Sequence, residues 1–338
     1  MRIRGEDRVS KSFQVIGIGN AVVDVLAHGD DSFLAHMGIE KGIMQLIERE
    51  RAETLYAAMT DRAQLPGGSV ANTLAGLGNL GAATGFIGRV SDDALGIFYA
   101  GGMEADGTRF LNPPVNGAKL PTSRSMIFVT PDGERSMNTY LGISSEVGEE
   151  DVPREAVADS EVLFLEGYLY DKPKGKSAFK AAAKACQAGG GRAGIALSDP
   201  FCVDRHRADF RTLVAGHMDF VIGNEAEWTS LYQTEILEDA LAQAREECDM
   251  VVCTRSGEDV VLIRGDERVE VPVHTVTPVD ATGAGDQFAA GFLYGYINQS
   301  PLPVCGRMGC VAAAEVIGHL GPRPQVDLKD LFRAENLI

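Results

Sequence analysis

Short apolar runs alternate along this chain with longer amphipathic stretches, a rhythm that predicts strands followed by helices. Residues 13–19 (FQVIGIG) form an apolar run ending in glycine, as a strand buried on both faces would. Similar runs recur at 162–168, 193–200 and 218–223, with a helical pattern over 176–187. This alternation implies a mostly parallel sheet covered by helices, with ligands at the carboxyl ends of the strands. Asp199, Asn224, Glu225 and Glu227 all follow a predicted strand.

Between 122 and 141 the period changes. Two short strands, 123–130 and 135–141, flank the turn Pro131-Asp132-Gly133-Glu134 and predict a hairpin. It is either an edge hairpin of the main sheet or a cover over a cleft, where its apolar face finds burial. Residues 28–47 place glycines between short apolar groups and suit a small outlying sheet, whereas 49–59 read as a helix with an exposed charged face.

The chemistry concentrates at 280–292 (DATGAGDQFAAGF), where small residues lead into a helical pattern carried by Phe288, Phe292, Leu293 and Tyr296. Free amides of a first helical turn, the helix dipole and the absence of bulky side chains at Gly283, Ala284 and Gly285 make an anion site. Asp286 would repel an anion there unless it removes a proton from a hydroxyl that attacks a phosphoryl group. The plain alternative is a helix carboxylate that complements the dipole. A second block, 65–78 (LPGGSVANTLAGLG), reads as a loop, an N-cap and a helix of very small residues. Gly67 and Gly68 let a hydroxylated ligand approach the backbone, and Asn72 in the first turn faces that loop. Asn20 and Asp24 interrupt an apolar stretch and offer the donors and acceptors that sugar hydroxyls need, or serve a turn and the surface.

Asp and Glu number 48 against 31 Lys and Arg, a formal charge of −17 that argues against nucleic acid or an anionic membrane surface as partner. Six cysteines without zinc spacing read as reduced, buried thiols. Residues 1–12 lack the apolar core of a signal peptide, and no apolar run approaches a membrane span. A cytoplasmic protein with a short mobile amino-terminal tail is the expectation. Gly17-Ile18-Gly19 follows a strand, but the third glycine of a dinucleotide fingerprint is missing and β-branched residues continue the run, against a nicotinamide cofactor.

The two glycine blocks, in this order, resemble the signatures of the PfkB/ribokinase family of carbohydrate and nucleoside kinases. The resemblance covers nearly the whole chain and implies a ribokinase-like α/β fold, a central mostly parallel sheet with a small β-sheet lid. It places 1–20, 49–110 and 146–338 in the large unit and 21–48 and 111–145 in the lid. It implies Asp286 as catalytic base, the amides of Gly283, Ala284 and Gly285 as anion hole, and Asn20, Asp24, Gly67, Gly68 and Asn72 as holders of the acceptor. The family's lid makes Met126, Phe128 and Tyr140 candidates for substrate contact, and Arg135 a lid-hinge or phosphate residue. Asn224 and Glu227 match an N-x-x-E element that organises Mg²⁺ largely through water. Thr254 and Gly257 match a nucleotide-binding turn for ATP whose second glycine is here Val260, with Arg255 as an added phosphate contact. Asp280, Thr282 and Gly321 match positions that hold K⁺ in related enzymes.

Residues 134–142 and 315–324 resemble the adenosine-kinase branch, which implies phosphorylation of the primary hydroxyl of adenosine. A ribose or fructose kinase shares the same apparatus. A regulatory nucleotide-binding protein would have no need of a base at Asp286. Alternating lid residues also allow an intersubunit sheet, and hence a homodimer.

Overall fold

In the computed structural model, which describes residues 11–338, the run Phe13–Ile18 (β1) lies inside a nine-stranded sheet with parallel partners on both sides. Positions 1–10 of the expected tail lie outside the described residues. The next strands are Val22–His28 (β2), Met44–Leu46 (β3), Ala63–Gly67 (β4), Thr84–Ile87 (β5), Thr108–Phe110 (β6), Ser123–Val129 (β7) and Arg135–Tyr140 (β8). Ser160–Glu166 (β9), Arg192–Ala196 (β10), Phe220–Asn224 (β11), Met250–Arg255 (β12), Glu258–Arg264 (β13) and Glu267–Val271 (β14) follow. The large sheet has the order β14-β13-β12-β11-β10-β9-β1-β5-β6 and is parallel at every pairing from β6 to β12. The β12–β13 and β13–β14 pairings are antiparallel.

Both faces of this sheet are covered, so alternate residues of one strand enter different cores. Val162 and Phe164 of β9 pack with Phe220, Val252 and Phe288 on one side. Leu163 and Leu165 pack with Ile195, Val251 and Trp228 on the other. The helices Ser69–Asn79 and Ala284–Ile297 cross closely because their contact is made of small residues. A Cβ on Gly76 would fall 2.7 Å from Cβ of Ala290.

The second sheet, β3-β8-β7-β2-β4, contains the expected hairpin as β7 and β8. The hairpin therefore belongs to a separate small sheet, not to the edge of the large one. The boundary expected at residue 49 is corrected. The helix Arg49–Ala58 packs on β7 and β8, and β4 pairs with β2, so 49–67 sit with the small sheet. Pro66 hid β4 by making 65–68 read as a loop. A proline is tolerated there because β4 is an edge strand. Among the described residues, no helix is long and apolar enough to cross a membrane.

Candidate active site

Between β1 and β2 the chain passes from the large sheet to the small one, and Asn20 sits at the crossing. Its backbone and side-chain N–H groups donate to Oε1 of Glu166 at 2.7 and 2.8 Å, and its Oδ1 accepts from Ser144 Oγ at 3.0 Å. Glu166, the last residue of β9, also accepts from the Val70 amide at 3.1 Å. Glycines permit this crowding. Gly68 has φ +98°, and a Cβ there would lie 2.3 Å from the Asn20 carbonyl oxygen, while one on Gly67 would lie 2.3 Å from Oδ2 of Asp24. Among the described contacts, the Asp24 carboxylate has no hydrogen-bond partner and faces the cleft.

The hydroxyl of Ser69 does not cap its own helix, as its position after Gly67-Gly68 predicted. It donates to Asp286 Oδ1 at 2.6 Å, and Asn72 Nδ2 donates to Asp286 Oδ2 at 3.0 Å. Asp286 is the third residue of the helix Ala284–Ile297, whose N-cap Gly283 has the left-handed φ of +81°. A Cβ on Gly283 would fall 2.6 Å from Cα of Pro322, so only glycine fits this turn. The Ala284 amide donates to the Ala281 carbonyl, but those of Gly285 and Asp286 have no backbone acceptor among the described bonds. A Cβ on Gly285 would meet nothing within 4 Å. Free amides, a helix amino terminus and open space beside them are the features that suit an anion at this turn.

The cleft is rich in buried acids. Burial pushes the Asp286 carboxyl up to about 6, against the lowering effects of Ser69, Asn72 and the Arg323 guanidinium. Burial likewise raises Asp24 to about 7, opposed by Arg323 and Arg135. Glu166 is raised to about 7 by burial, and the amides of Asn20 and Val70 oppose that rise. An acid tuned close to neutrality can take a proton and release it near physiological pH.

Asn224 and Glu227 form a reciprocal helix cap. Glu227 Oε2 accepts from the Asn224 amide at 2.8 Å and Oε1 from its side chain at 2.9 Å, while Asn224 Oδ1 accepts from the Glu227 amide at 2.9 Å. With both carboxylate oxygens so engaged, the pair fits Mg²⁺ through the ion's water shell. Among the described residues, no cluster of three or more His, Cys, Asp or Glu is placed to hold a metal. Thr254 lines the cleft. Arg255 ends β12 and Gly257 lies in the turn to β13, both outside that lining, and Arg255 pairs with Glu225 and Glu258 at 3.2 and 2.5 Å. The expectation of Arg255 as a phosphate contact is corrected on that ground, since both acids hold its charge. The Asp280 carboxylate accepts from the Thr282 and Gly321 amides, each at 3.0 Å, and pairs with Arg135 at 2.7 Å. Three donors already meet that carboxylate, so as arranged it does not fit a monovalent cation.

A cleft of about 740 Å³ joins Asn20, Asp24, Gly68, Asn72, Asn224, Glu227, Thr254, Thr282, Gly283, Ala284, Gly285 and Asp286. Met126, Phe128 and Tyr140 do not reach it, which corrects the expected lid contacts. They point to the other side of the small sheet, where Phe128 packs on Phe33 with ring centroids 5.1 Å apart. The register gives the reason, because Asp24 pairs with Ser125, and Ser125 with Thr139. The cleft face of the small sheet therefore carries Val22, Asp24, Met44, Leu46, Ser125, Met137 and Thr139. Sequence reasoning also missed Glu166 and Ser69. The available signal for Glu166 was an acid ending an otherwise apolar central strand. A larger concavity of about 1000 Å³ lies at the amino ends of the strands, where Arg192 already pairs with Asp219 and Asp249.

The pfkB family carbohydrate kinase profile matches residues 41–328. The adenosine kinase from Sinorhizobium meliloti is 45% identical, with a TM-score of 0.88 over 96% of this chain and 99% of that one. A probable sugar kinase protein from Rhizobium etli CFN 42 is 43% identical, with a TM-score of 0.89 over 97% of this chain and 100% of that one. A fructokinase from Escherichia coli is 30% identical over 68% of this chain and 76% of its own length.

Proposed function

Because the chain belongs to the pfkB family of carbohydrate kinases, phosphotransferases acting on a hydroxyl of a sugar or nucleoside, we propose that it phosphorylates the primary hydroxyl of adenosine with ATP. The observation that carries the nucleoside reading is the cleft face of the small sheet. Met44 and Leu46 are 47% and 54% exposed there, beside Val22 and Met137, and Phe201 stands across the cleft. A planar base covers such a surface and gains its burial, at about 25 cal/mol per Å² of apolar area. A free sugar leaves it wet. The likeness to the S. meliloti adenosine kinase agrees with this reading.

In this reading Asp24 and Asn72 hold the ribose hydroxyls beside Asn20 and the Gly68 backbone. Asp286 then lies where it removes the proton of the attacking hydroxyl. The free Gly285 and Asp286 amides at the end of the Gly283-Ala284-Gly285 turn would then face the charge that develops on the transferring oxygens. When bound, Mg²⁺ neutralises phosphate charge, and Asn224 and Glu227 would hold its water shell.

The second reading, a free-sugar kinase, is favoured by the likeness to the E. coli fructokinase. Release of ADP from Mg-ATP with adenosine, other nucleosides, ribose or fructose decides between them. Preference for adenosine is expected, and preference for a free sugar would overturn the substrate assignment while leaving the chemistry.

A further inference from the structure

The loop between the helices Leu302–Ile317 and Leu328–Ala334 sends one arginine toward Asn72. Arg323 Nε donates to Asn72 Oδ1 at 3.3 Å, and Asn72 Nδ2 donates in turn to Asp286 Oδ2. A guanidinium can only donate, so the atom of Asn72 that faces it must be the carbonyl oxygen. The amide nitrogen then turns to Asp286. Because that nitrogen also only donates, it meets Oδ2 of Asp286 as an acceptor, an arrangement that suits the carboxylate form.

We propose that Arg323 is a positioning residue for phosphoryl transfer, fixing the Asn72 carboxamide and keeping Asp286 ionised as the acceptor hydroxyl approaches. This rests on Asp286 being the base. The loop that carries Arg323 is tied to both sides of the site. The Gly321 amide donates to Asp280, and Pro322 lies against Gly283. Gln287 Nε2 donates to the Pro322 carbonyl at 3.0 Å and to the Asn72 carbonyl at 2.9 Å, so loop and helix share one buried link. On its outer side Arg323 pairs with Asp106 and lies 3.9 Å from Met103 Sδ.

Charge gives the second half of the argument. The groups facing Asp286 from the surrounding elements are Ser69 and Asn72, Asp24 of β2, Glu166 of β9, Tyr168 beyond it, and Arg323. Arg323 is the cation in that set, and Arg135, paired with Asp280, acts on Asp24. Without Arg323, Asp286 faces two other acids with no compensating charge, and its proton is held to higher pH.

The test is the pH profile of kcat in Arg323→Met and in Arg323→Gln, which keeps polarity should the first variant fail to fold. The acid limb is expected to move up by about one unit, with activity below the limb falling about tenfold. KM for ATP should stay within about twofold. Arg323→Lys, which retains the charge, is expected to bring the limb back toward wild type. An unmoved limb, or a kcat lowered equally at all pH, makes Arg323 a scaffold residue and overturns the proposal. Asp286→Asn separates the two readings. Activity that survives in it removes the base itself, whereas an inactive Asp286→Asn beside an unmoved limb in the Arg323 variants overturns only the role of Arg323.

Discussion

Arg135 of the small sheet and Asp280 of the large unit form an ion pair at 2.7 Å, with side chains only 8% and 7% exposed. The pair ties β8 of the small sheet to the loop that leads into the Gly283 turn of the large unit. Removing one member of a buried pair strands the other charge, at a cost of about 3 kcal/mol. Arg135→Met should therefore lose about that much stability in urea unfolding. Adding Asp280→Asn should cost less than the sum of the two single changes, and an additive pair would show that the contact is not coupled.

Asp286→Asn keeps the size of the side chain but cannot take a proton. We expect kcat to fall by about 10³-fold or more, with KM for the acceptor nearly unchanged, because a general base acts in the transition state. Steady-state kinetics check this, and a loss confined to KM would reassign Asp286 to binding.

Gly285→Ala separates the ligand's space from the protein's. A Cβ there meets no protein atom within 4 Å, so the thermal midpoint should hold while KM for ATP rises about tenfold or more. Gly283→Ala, by contrast, drives a methyl into Pro322 at a positive φ and should destabilise the fold. Similar midpoints for the two variants would contradict the geometry.

The two faces of the small sheet should respond differently. Phe128→Ala removes a core ring and should cost about 3–5 kcal/mol without changing the preference between adenosine and ribose. Leu46→Ser should leave stability within about 1 kcal/mol and raise KM for adenosine relative to ribose. A selectivity change in the Phe128 variant would place the substrate on the wrong face.

Burial raises Asp24, Glu166 and Glu227 to about 7 and Asp286 to about 6. Between about pH 4 and 7 the folded protein therefore keeps protons that the unfolded chain has released, and stability falls as pH rises through that window. His217, held below its ordinary value by burial, works in the opposite sense but is one group against four. The ligand-free protein should melt at a higher temperature at pH 6 than at pH 8. A midpoint that rises from pH 6 to 8 would sink the reading.

The alternation of apolar runs determined the parallel sheet, and glycine spacing determined both loops of the site, because strand burial and free helix amides are local properties of the chain. Asp286, Asn72, Asn20 and Asp24 were legible for the same reason, as polar residues that break local patterns. Which face of the hairpin meets the cleft was decided by strand register, which sets Met126 and Phe128 inward and Ser125, Met137 and Thr139 toward the ligand space. Register depends on partners far along the chain, and a shift of one residue exchanges the faces. Glu166, Ser69, Arg135 and Arg323 likewise acquire their contacts only when segments up to 251 residues apart are folded together, as Arg323 and Asn72 are. No spacing along the chain encodes that meeting, because it is made by the packing of two helices and a carboxy-terminal loop around one carboxylate.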